Sequence, residues 1–595
     1  MRNAVAFANN DVVTIAWSYG VRPAGCMGFA IYRIDSNGVE TALPSHAVFP
    51  GDTITAGQTT AQFPIQKFYW KDVYARLVGD KTGNRTFRYK VVPLQGPPAA
   101  LTPMVTLPLL TTNAVTVSGV CSPSVTAIFN RGLISTQHVS QSLDGNISKS
   151  KLLDMIADPT NPLRKDLSGD MIGTLTGFVA QAQDKGSIYA ALYELTDVEL
   201  LQSLVSAGRR LNIVLADIVG KPEPGGSEET AGKNEPAQAK LRTSAASFLY
   251  RKPPSGHIVH NKFLIYLDPG GTPQAVLTGS CNWTDTGLCA QTNNAIVIRD
   301  KALAARYLAY WKKLQADETA LQSGKGKFQD TPLRTFDGTG KTLTLDQASA
   351  QASVVTSYFS PATPRQRSRK QGRSEAIPVD MKDLRERVMA ARNAVLFLAF
   401  IPGTPSITEF AAAAQKANKE LFVRGCVTSP AAAGNFYYDL RGTSPPKRQK
   451  GTKSPPAPQD ARVISAEALG ENVPSGWQKE LLNAGYAITH DKIVVIDPFS
   501  DDCIVTTGSH NLGYQASYNN DENLLMIKGN KQLAMAYATH VLDVYDHFSW
   551  RWTLKHGTSV DANLKTKPDD WLSWYFDAQG NIKTAQLKFW MQATV

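Results

Sequence analysis

The sequence predicts a multidomain protein, in which an all-β N-terminal sandwich precedes two related α/β lobes. Short apolar runs separated by turn residues fill the first hundred residues, as is typical of an antiparallel sandwich. Further on, one pattern of strand, helix and strand occurs twice, and the same order of polar residues follows each copy. At 595 residues and 43% hydrophobic content, the chain is long enough for several buried cores.

Residues 1–98 form the predicted sandwich. Strands are expected at 12–17, 28–34 and 87–92, with an aromatic cluster at 68–70 between them. An early Trp, an Ile-Tyr-Arg strand and a later Tyr-x-Val resemble a fibronectin type III-like domain. Such domains space, pack or bind partners, so no chemistry is assigned to this region. The proline-rich residues 99–123 are predicted to be a linker.

The two lobes, predicted at residues 124–340 and 341–595, repeat one order of elements. In each lobe a strand opens the unit, and two further strands flank a helix. These strands are expected at 125–129, 187–193 and 211–217 in the first lobe, and at 354–359, 394–400 and 421–427 in the second.

A pattern of polar residues occurs once in each lobe. The first copy consists of His260, Lys262, Asp268, Ser280 and Asn282, and the second of His490, Lys492, Asp497, Ser509 and Asn511. Ten residues separate the Asp from the following Gly in both copies. Such agreement over a long, unusual pattern predicts a duplicated half-site.

The residue types in this pattern predict a phosphate site. His and Lys two apart on a strand point to the same face, and Ser and Asn after a Gly add neutral hydrogen-bond donors. Two such halves facing each other would surround a tetrahedral anion. No metal-spaced set of ligands accompanies the pattern, so we expect neither metal nor cofactor, and the lysines supply the positive charge.

The paired segments resemble the two HxK, Asp and GSxxN-type signatures of the phospholipase D superfamily, reading HNK with GSCN and HDK with GSHN. The resemblance covers residues 124–552. It implies two pseudo-twofold-related lobes of phospholipase D type in one chain, with a phosphodiesterase reaction through a phosphohistidine. His260, Lys262, Asn282, His490, Lys492 and Asn511 would be catalytic, and Ser280, Ser509, Asp268, Asp497 and Glu522 supporting.

The two copies differ in an acidic residue that the family often places to orient its motif histidine. The second copy has Glu522, and the first has Asn293 in the corresponding place. We therefore expect Glu522 to contact His490 and Asn293 to contact His260. A carboxylate favours the imidazolium, which would make His490 the proton donor and His260 the nucleophile. The sequence alone leaves open which histidine attacks.

The substrate is expected to be a phosphodiester, either an anionic phospholipid or nucleic acid. The resemblance places phospholipase D-type hydrolysis or headgroup transfer first, and a nuclease second. The net charge of +11 and basic insertions at 364–373 and 445–458, beside a mixed one at 221–236, favour an anionic partner of either kind. A non-catalytic binding protein is the third hypothesis, and the intact His, Lys, Ser and Asn of both halves argue against it.

The remaining expectations concern location and assembly. The N-terminal residues lack an apolar signal core, and prolines interrupt the uncharged run from 91 to 130, so we expect a cytoplasmic protein without a transmembrane segment. Peripheral membrane contact and activity as a monomer are also expected. The aromatic C-terminal tail, with Trp571, Trp574 and Trp590, is predicted to pack onto a domain rather than to bind a membrane or substrate.

Overall fold

A computed structural model of the chain has an all-β N-terminal region followed by two α/β lobes, as the sequence predicts. It describes residues 3–79, 83–133, 149–182, 185–218, 232–349, 351–367, 376–446, 457–466, 488–556 and 563–593. The mixed insertion at 221–236 and the basic insertions at 364–373 and 445–458 lie largely outside the described residues.

The N-terminal region is a sandwich of two antiparallel sheets. One sheet has the order β1-β2-β5, and the other β4-β3-β6-β7, with β8 and β9 also paired to β6. The strands are β1 (Asn3–Ala8), β2 (Val13–Ser18), β3 (Gly28–Ile34), β4 (Glu40–Ala42), β5 (Tyr69–Asp72), β6 (Thr86–Gln95), β7 (Thr102–Pro103), β8 (Leu110–Thr111) and β9 (Val115–Thr116). Side chains from both sheets, including Trp17, Phe29 and Tyr89, form its core. The all-β prediction is confirmed, and the fibronectin type III-like assignment stays an interpretation.

The predicted linker at 99–123 is not a free connection. Its strands β7, β8 and β9 all pair with β6 and extend the N-terminal sheet. Each is only two residues long. Pro103 lies within β7 and Pro108 just before β8, and a proline cannot donate a hydrogen bond to a neighbouring strand, which limits these two strands. The same prolines that indicated a linker therefore produce short edge strands.

The first lobe is built on a seven-stranded sheet with the order β10-β17-β16-β15-β11-β12-β13. Its strands are β10 (Val125–Phe129), β11 (Ser187–Leu192), β12 (Leu211–Ala216), β13 (Ser247–Arg251), β15 (Lys262–Leu267), β16 (Pro273–Gly279) and β17 (Asn294–Ile298). Its helices are α1 (Lys149–Ala157), α2 (Pro162–Ser168), α3 (Met171–Ala180), α4 (Val198–Ala207), α5 (Glu235–Ser244), α6 (Asp285–Cys289) and α7 (Lys301–Gln322). Most of these strands are largely buried, as expected when both faces of a sheet are covered, whereas the edge strand β13 is only partly buried.

The second lobe repeats this plan. Its sheet has the order β18-β19-β25-β24-β23-β20-β21-β22, which matches the first lobe from β19 onwards. The strands are β18 (Lys341–Leu345), β19 (Ser353–Ser360), β20 (Ala394–Ala399), β21 (Phe422–Val427), β22 (Val463–Ser465), β23 (Lys492–Ile496), β24 (Ile504–Gly508) and β25 (Asn520–Lys528). The helices after the first lobe are α8 (Thr331–Arg334), α9 (Val379–Met389), α10 (Ile407–Ala417), α11 (Pro430–Arg441), α12 (Tyr514–Asn519) and α13 (Lys531–His556).

A short backbone segment of each lobe pairs with the other lobe. The short strand β14 (Ile258–Val259), just before His260, pairs in parallel with β25 of the second lobe. In return, Thr292 of the first lobe forms a parallel bridge with Thr489, just before His490. Each motif histidine is therefore the next residue in the sequence after a backbone contact that joins the two lobes.

The C-terminal tail contains two helices, α14 (Pro568–Tyr575) and α15 (Ala585–Met591). The Trp571 ring lies 5.6 Å from Phe68 and 6.0 Å from Phe29, and its Nε1 donates to the Cys26 carbonyl. Trp590 stacks on Tyr69 and is also buried. These two rings pack the tail onto the N-terminal sandwich, whereas Trp574, which was also expected to pack, is exposed. None of the helices in the described residues is long and apolar enough to cross a membrane.

Trp571→Ala should lower the free energy of unfolding by about 3–5 kcal/mol, because it removes a buried ring and leaves a cavity beneath the sandwich. Trp574, on the same helix, is 68% exposed, so Trp574→Ala should stay within about 0.5 kcal/mol of the parent. Denaturant unfolding followed by circular dichroism measures both variants. Equal losses for the two would mean that the tail does not support the sandwich.

Candidate active site

His260 and His490 lie at the junction of the two lobes, immediately before strands β15 and β23. Each imidazole is buried, with 4% of the residue exposed. The His260 amide donates to the Asp521 carbonyl at 2.9 Å, and the His490 amide donates to the Thr292 carbonyl at 3.1 Å. Each motif histidine is thus held by the backbone of the opposite lobe.

Each motif histidine also contacts a side chain of the opposite lobe. Nδ1 of His260 lies 3.1 Å from Oε1 of Glu522, and Nδ1 of His490 lies 2.9 Å from Oδ1 of Asn293. The predicted pairing of Glu522 with His490 and of Asn293 with His260 is wrong. The physical reason is that β14 brings His260 alongside β25, which carries Glu522, and the Thr292–Thr489 bridge brings His490 alongside Asn293.

The hydrogen bonds of Asn293 fix the tautomer of His490. Nδ2 of Asn293 donates to the Gly287 carbonyl at 2.8 Å, so Oδ1 is the atom that faces Nδ1 of His490. That nitrogen must therefore carry a proton, which leaves Nε2 as the free, nucleophilic position. Glu522 can only accept when ionised, so the same tautomer follows for His260. Both imidazoles present Nε2 to a substrate.

Burial and the two lysines keep the imidazoles neutral in the free protein. Burial, with Lys262, lowers the pKa of His260 to about 4, although Glu522 opposes this shift. Burial, with Lys492 and Lys262, lowers the pKa of His490 well below its ordinary value. Its partner is a neutral amide, so no carboxylate offsets these effects. Lysines of the opposite lobe contribute to these shifts, since Lys262 lowers the pKa of His490 and Lys492 lowers that of His260.

Lys262 and Lys492 are buried with the histidines. Nζ of Lys262 donates to the His260 carbonyl at 2.9 Å, and Nζ of Lys492 donates to the His490 carbonyl at 2.5 Å. Burial lowers the pKa of Lys262 to about 7, and burial with the charge of Lys262 lowers that of Lys492 well below its ordinary value. Two buried ammonium groups are costly without an anion, so an arriving phosphate would favour their charged forms.

These shifts predict that kcat/KM decreases as the pH rises. Catalysis needs one proton on the histidine pair, and the pKa values of both imidazoles are lowered, so log kcat/KM should fall with a slope of about −1 as the pH rises. Above the Lys262 pKa of about 7 the slope should approach about −2, because the anion-binding charge is lost as well. Lys262→Arg keeps its charge, so above about pH 7 its slope should be less steep than that of the parent, since of the two groups only Lys492 can still lose a proton. Rates from about pH 5 to 9 test this, and an alkaline optimum would contradict it.

The two motif asparagines each contact a carboxylate. Nδ2 of Asn282 donates to Oε2 of Glu194 at 2.7 Å, and the backbone amide of Asn511 donates to Oε2 of Glu522 at 2.9 Å. Oδ1 of both asparagines is buried without a hydrogen-bond partner in the described part of the chain. An amide nitrogen has two hydrogens, so Asn282 retains one for a substrate oxygen.

Ser280 and Ser509 have a different role from the one predicted. The Ser280 hydroxyl donates to Oδ1 of Asn293 and accepts from the Asn294 amide. The Ser509 hydroxyl accepts from the Asn523 amide and from its side chain. Both hydroxyls are fully buried in these bonds. They hold the strand ends that carry the asparagines, instead of facing the anion.

Asp268 and Asp497 lie at the far ends of the strands that begin with the motif lysines. Asp497 accepts from the backbone amides of residues 392–394, and Asp268 accepts from Thr272 and Gln274. A strand of five or six residues separates each Asp from its lysine, which is roughly 17–20 Å. The two Asp residues therefore support the turns beyond the strands and do not reach a bound phosphate.

Three site residues were not predicted from the motifs. Glu194 contacts Asn282, and the rings of Tyr193 and Phe400 lie 5.0 Å and 4.9 Å from His260 and His490. Tyr193 and Phe400 each directly follow the residue that pairs with a motif lysine, Leu192 with Lys262 and Ala399 with Lys492. Both residues lie in the repeated strands predicted at 187–193 and 394–400, but only the register of the sheet shows that they lie next to the motif.

Comparison with protein families supports the two-segment organisation. Residues 176–315 and 446–544 match the family described as "Cardiolipin synthase, PLD-like domain". The segments contain one His, Lys, Ser and Asn set each. No curated protein matches the sequence. Among the described residues, no group of three or more His, Cys, Asp or Glu side chains is arranged to hold a metal ion.

Several solved structures show a distant likeness. The phosphatidylserine synthase of Haemophilus influenzae Rd KW20 is 12% identical, covers 64% of this chain and 85% of its own, and gives a TM-score of 0.38. Nuc of Salmonella typhimurium, described as a phospholipase D family member, is 24% identical and covers 24% of this chain and 84% of its own, with a TM-score of 0.18. Yeast tyrosyl-DNA phosphodiesterase is 11% identical over 59% of this chain and 84% of its own, with a TM-score of 0.29.

Proposed function

We propose that this chain, which belongs to the phospholipase D superfamily, is a metal-independent phosphodiesterase that works through a phosphohistidine. The crossed pairing of the two motif histidines carries the proposal. Glu522 of the second lobe contacts His260, and Asn293 of the first lobe contacts His490, so both imidazoles belong to one site. In each ring the contact at Nδ1 leaves Nε2 free, and we propose that the two Nε2 atoms act on the same phosphate, as a two-histidine reaction requires.

The positive groups of the site would first neutralise and orient the substrate phosphate. Its anionic oxygens repel a nucleophile, and Lys262 and Lys492 would offset this charge. The side-chain amides of Asn282 and Asn511 would donate to the same oxygens. These groups take the part that a divalent ion has in many other phosphodiesterases.

In the first chemical step, Nε2 of one neutral histidine bonds to phosphorus while the bond from phosphorus to the leaving oxygen breaks. The other histidine, as the imidazolium, gives the Nε2 proton to that oxygen. In the second step this histidine, now neutral, takes a proton from water or an alcohol, which attacks phosphorus and releases the first histidine. Protons and bonds balance over the two steps.

We assign attack to His260 and proton transfer to His490. When Nε2 bonds to phosphorus, the ring with a protonated Nδ1 becomes positively charged, and the Glu522 carboxylate at 3.1 Å stabilises that charge. His490 has only the neutral Asn293 beside it, so its imidazolium is the stronger acid and releases its proton more readily. The expected roles are kept, but the reason for them changes with the observed pairing.

Phospholipid is the first candidate substrate, through phospholipase D-type hydrolysis or headgroup transfer. The matched family has the description of a cardiolipin synthase, and this ordering rests on that likeness. Nucleic acid is the second candidate, because the chain has a net charge of +11 and a pI of 9.1, which favour a polyanion. We propose activity as a monomer, since one chain supplies both histidines.

A substrate panel tests the proposed activity. The purified protein is incubated in chelator with mixed phospholipid vesicles, and separately with single- and double-stranded DNA and RNA. Headgroup release without nicking of nucleic acid supports the lipid assignment, and the reverse result supports the nuclease. Binding of vesicles or nucleic acid with no cleavage of any substrate would overturn the phosphodiesterase in favour of a non-catalytic binding protein.

EDTA should leave the rate within about twofold of its value in untreated buffer, because side chains supply the positive charge at phosphorus. The rate on the best substrate of the panel is measured before and after dialysis against EDTA. Addition of Mg²⁺, Zn²⁺ or Ca²⁺ to the dialysed protein should give no further increase. A large loss in EDTA that one metal restores would contradict the metal-independent mechanism.

A further inference from the structure

Glu194 is a carboxylate in a site built to bind an anion, and neither the sequence motifs nor the proposed mechanism uses it. Its Oε2 accepts from Nδ2 of Asn282 at 2.7 Å. Its side chain is 15% exposed, and its other oxygen, Oε1, lies 3.1 Å from Nζ of Lys233. The backbone fixes this position as well, because the Trp283 amide donates to the Glu194 carbonyl at 3.0 Å.

The second lobe has no carboxylate at the equivalent place. In the first lobe Leu192 pairs with Lys262, so Glu194 stands two residues beyond the partner of a motif lysine. In the second lobe Ala399 pairs with Lys492, which puts Ile401 at the same position. Ile401 is 52% exposed. In the described part of the chain no carboxylate contacts the side-chain amide of Asn511.

The charges near the phosphate position are then nearly balanced. When a bound phosphate keeps Lys262 and Lys492 charged, these two charges offset those of Glu522 and Glu194, and the histidine pair adds one proton during catalysis. Glu194 acts on Lys262 directly, since its charge favours the protonated lysine. Lys233 is 59% exposed, so its ion pair with Glu194 is screened by water and offsets little of this charge. One net positive charge matches a phosphodiester, whereas a phosphomonoester carries nearly two negative charges.

We propose that Glu194 has two functions in this site: it positions Asn282, and its charge makes the site select singly charged phosphodiesters against doubly charged phosphomonoesters. The inference rests on the proposed phosphodiesterase function and deepens it. Product release follows from the same charge when water is the acceptor, because hydrolysis converts a diester to a monoester. The doubly charged product would be repelled by the carboxylate that tolerates the substrate.

Two substitutions separate positioning from charge. In Glu194→Gln the side-chain carbonyl still accepts from Asn282, but the negative charge is lost. In Glu194→Ala both are lost. Inorganic phosphate at about pH 8 is the dianionic probe, and its affinity is measured by calorimetry in a Lys262→Arg background, because loss of Glu194 would otherwise also reduce the charge of Lys262. Bis(p-nitrophenyl) phosphate is the diester for kinetics. Ile401→Glu is the matched control, because it adds a carboxylate at the equivalent place in the second lobe.

Phosphate should bind Glu194→Gln roughly three- to tenfold more tightly than the parent, since one repelling charge is removed at short range. It should bind Ile401→Glu more weakly but by a smaller factor, because water screens a carboxylate at this exposed position. For the diester, kcat of Glu194→Ala should fall about tenfold or more below that of Glu194→Gln, because only the glutamine still orients Asn282. A loss in kcat with little change in KM would indicate positioning rather than loss of fold.

Unchanged or weaker phosphate binding in Glu194→Gln would overturn the charge selection. Equal kcat values for Glu194→Gln and Glu194→Ala would overturn the positioning of Asn282. The calorimetric comparison needs no turnover, so it tests the inference separately from the proposed function. A parent protein that binds phosphate but cleaves no diester would refute the phosphodiesterase, while the order of phosphate affinities among the variants would still decide on Glu194.

Discussion

His260→Ala and His490→Ala are each expected to reduce turnover of the natural substrate by about a thousandfold or more. One histidine must attack phosphorus and the other must protonate the leaving oxygen, and neither imidazole can do both in one step. The rate of each variant is measured on the best substrate of the panel. Because the two act as a unit, the double variant should be little slower than either single variant.

The control for these variants is His46→Ala. His46 is exposed on the N-terminal sandwich, so its replacement should leave the rate and the melting temperature unchanged. Circular dichroism would show that the two active-site variants keep their fold, since each changes one side chain at the lobe junction. Near-normal activity in either His260→Ala or His490→Ala would refute the two-histidine mechanism.

The sequence can predict which residues of one half lie together because the motif is local. His260 and Lys262 are two residues apart, so the alternation of a strand is enough to place them on one side. The same holds for His490 and Lys492. The buried strands that follow are apolar runs, and the observed strands β15 and β23 begin at the two lysines. Duplication then implied two such halves, which pack against each other in the fold.

The partners of the histidines could not be predicted in this way. Glu522 is 32 residues beyond His490 in the same lobe, and sequence order favours a contact within that lobe. The contact with His260 arises because β14 leaves the first lobe and pairs with β25. Pairing of this kind depends on how the two lobes pack against each other, and a local sequence pattern cannot predict that packing. The predicted linker failed for a related reason, since the pairing partner of its short strands is β6.

The serines show a different limit of sequence reasoning. A hydroxyl beside a phosphate site is a plausible donor to the anion, and residue type alone cannot show which acceptor it chooses. In the structure Ser280 donates to Asn293, and the Ser509 hydroxyl accepts from Asn523. Ser280 therefore acts on the anion only indirectly, through Asn293, which orients His490.

The covalent phosphate should be found on His260. The phosphoenzyme is trapped by rapid quench, digested under alkaline conditions that preserve phosphohistidine, and mapped by mass spectrometry. Glu522 lies against Nδ1 of His260 and stabilises the charge that the ring gains when Nε2 bonds to phosphorus. Glu522→Gln should therefore lower the rate of phosphoenzyme formation by about 10- to 100-fold. Phosphate on His490 would reverse the assignment.

A substrate with an activated leaving group separates the two roles independently of trapping. p-Nitrophenolate leaves without protonation, so a missing general acid should matter little in the first step with bis(p-nitrophenyl) phosphate. His490→Ala should then release about one equivalent of p-nitrophenolate in a burst and stop as the phosphoenzyme, because no base remains to activate water. His260→Ala should release none. A burst from His260→Ala and none from His490→Ala would make His490 the nucleophile, with Glu522 holding the proton donor in place.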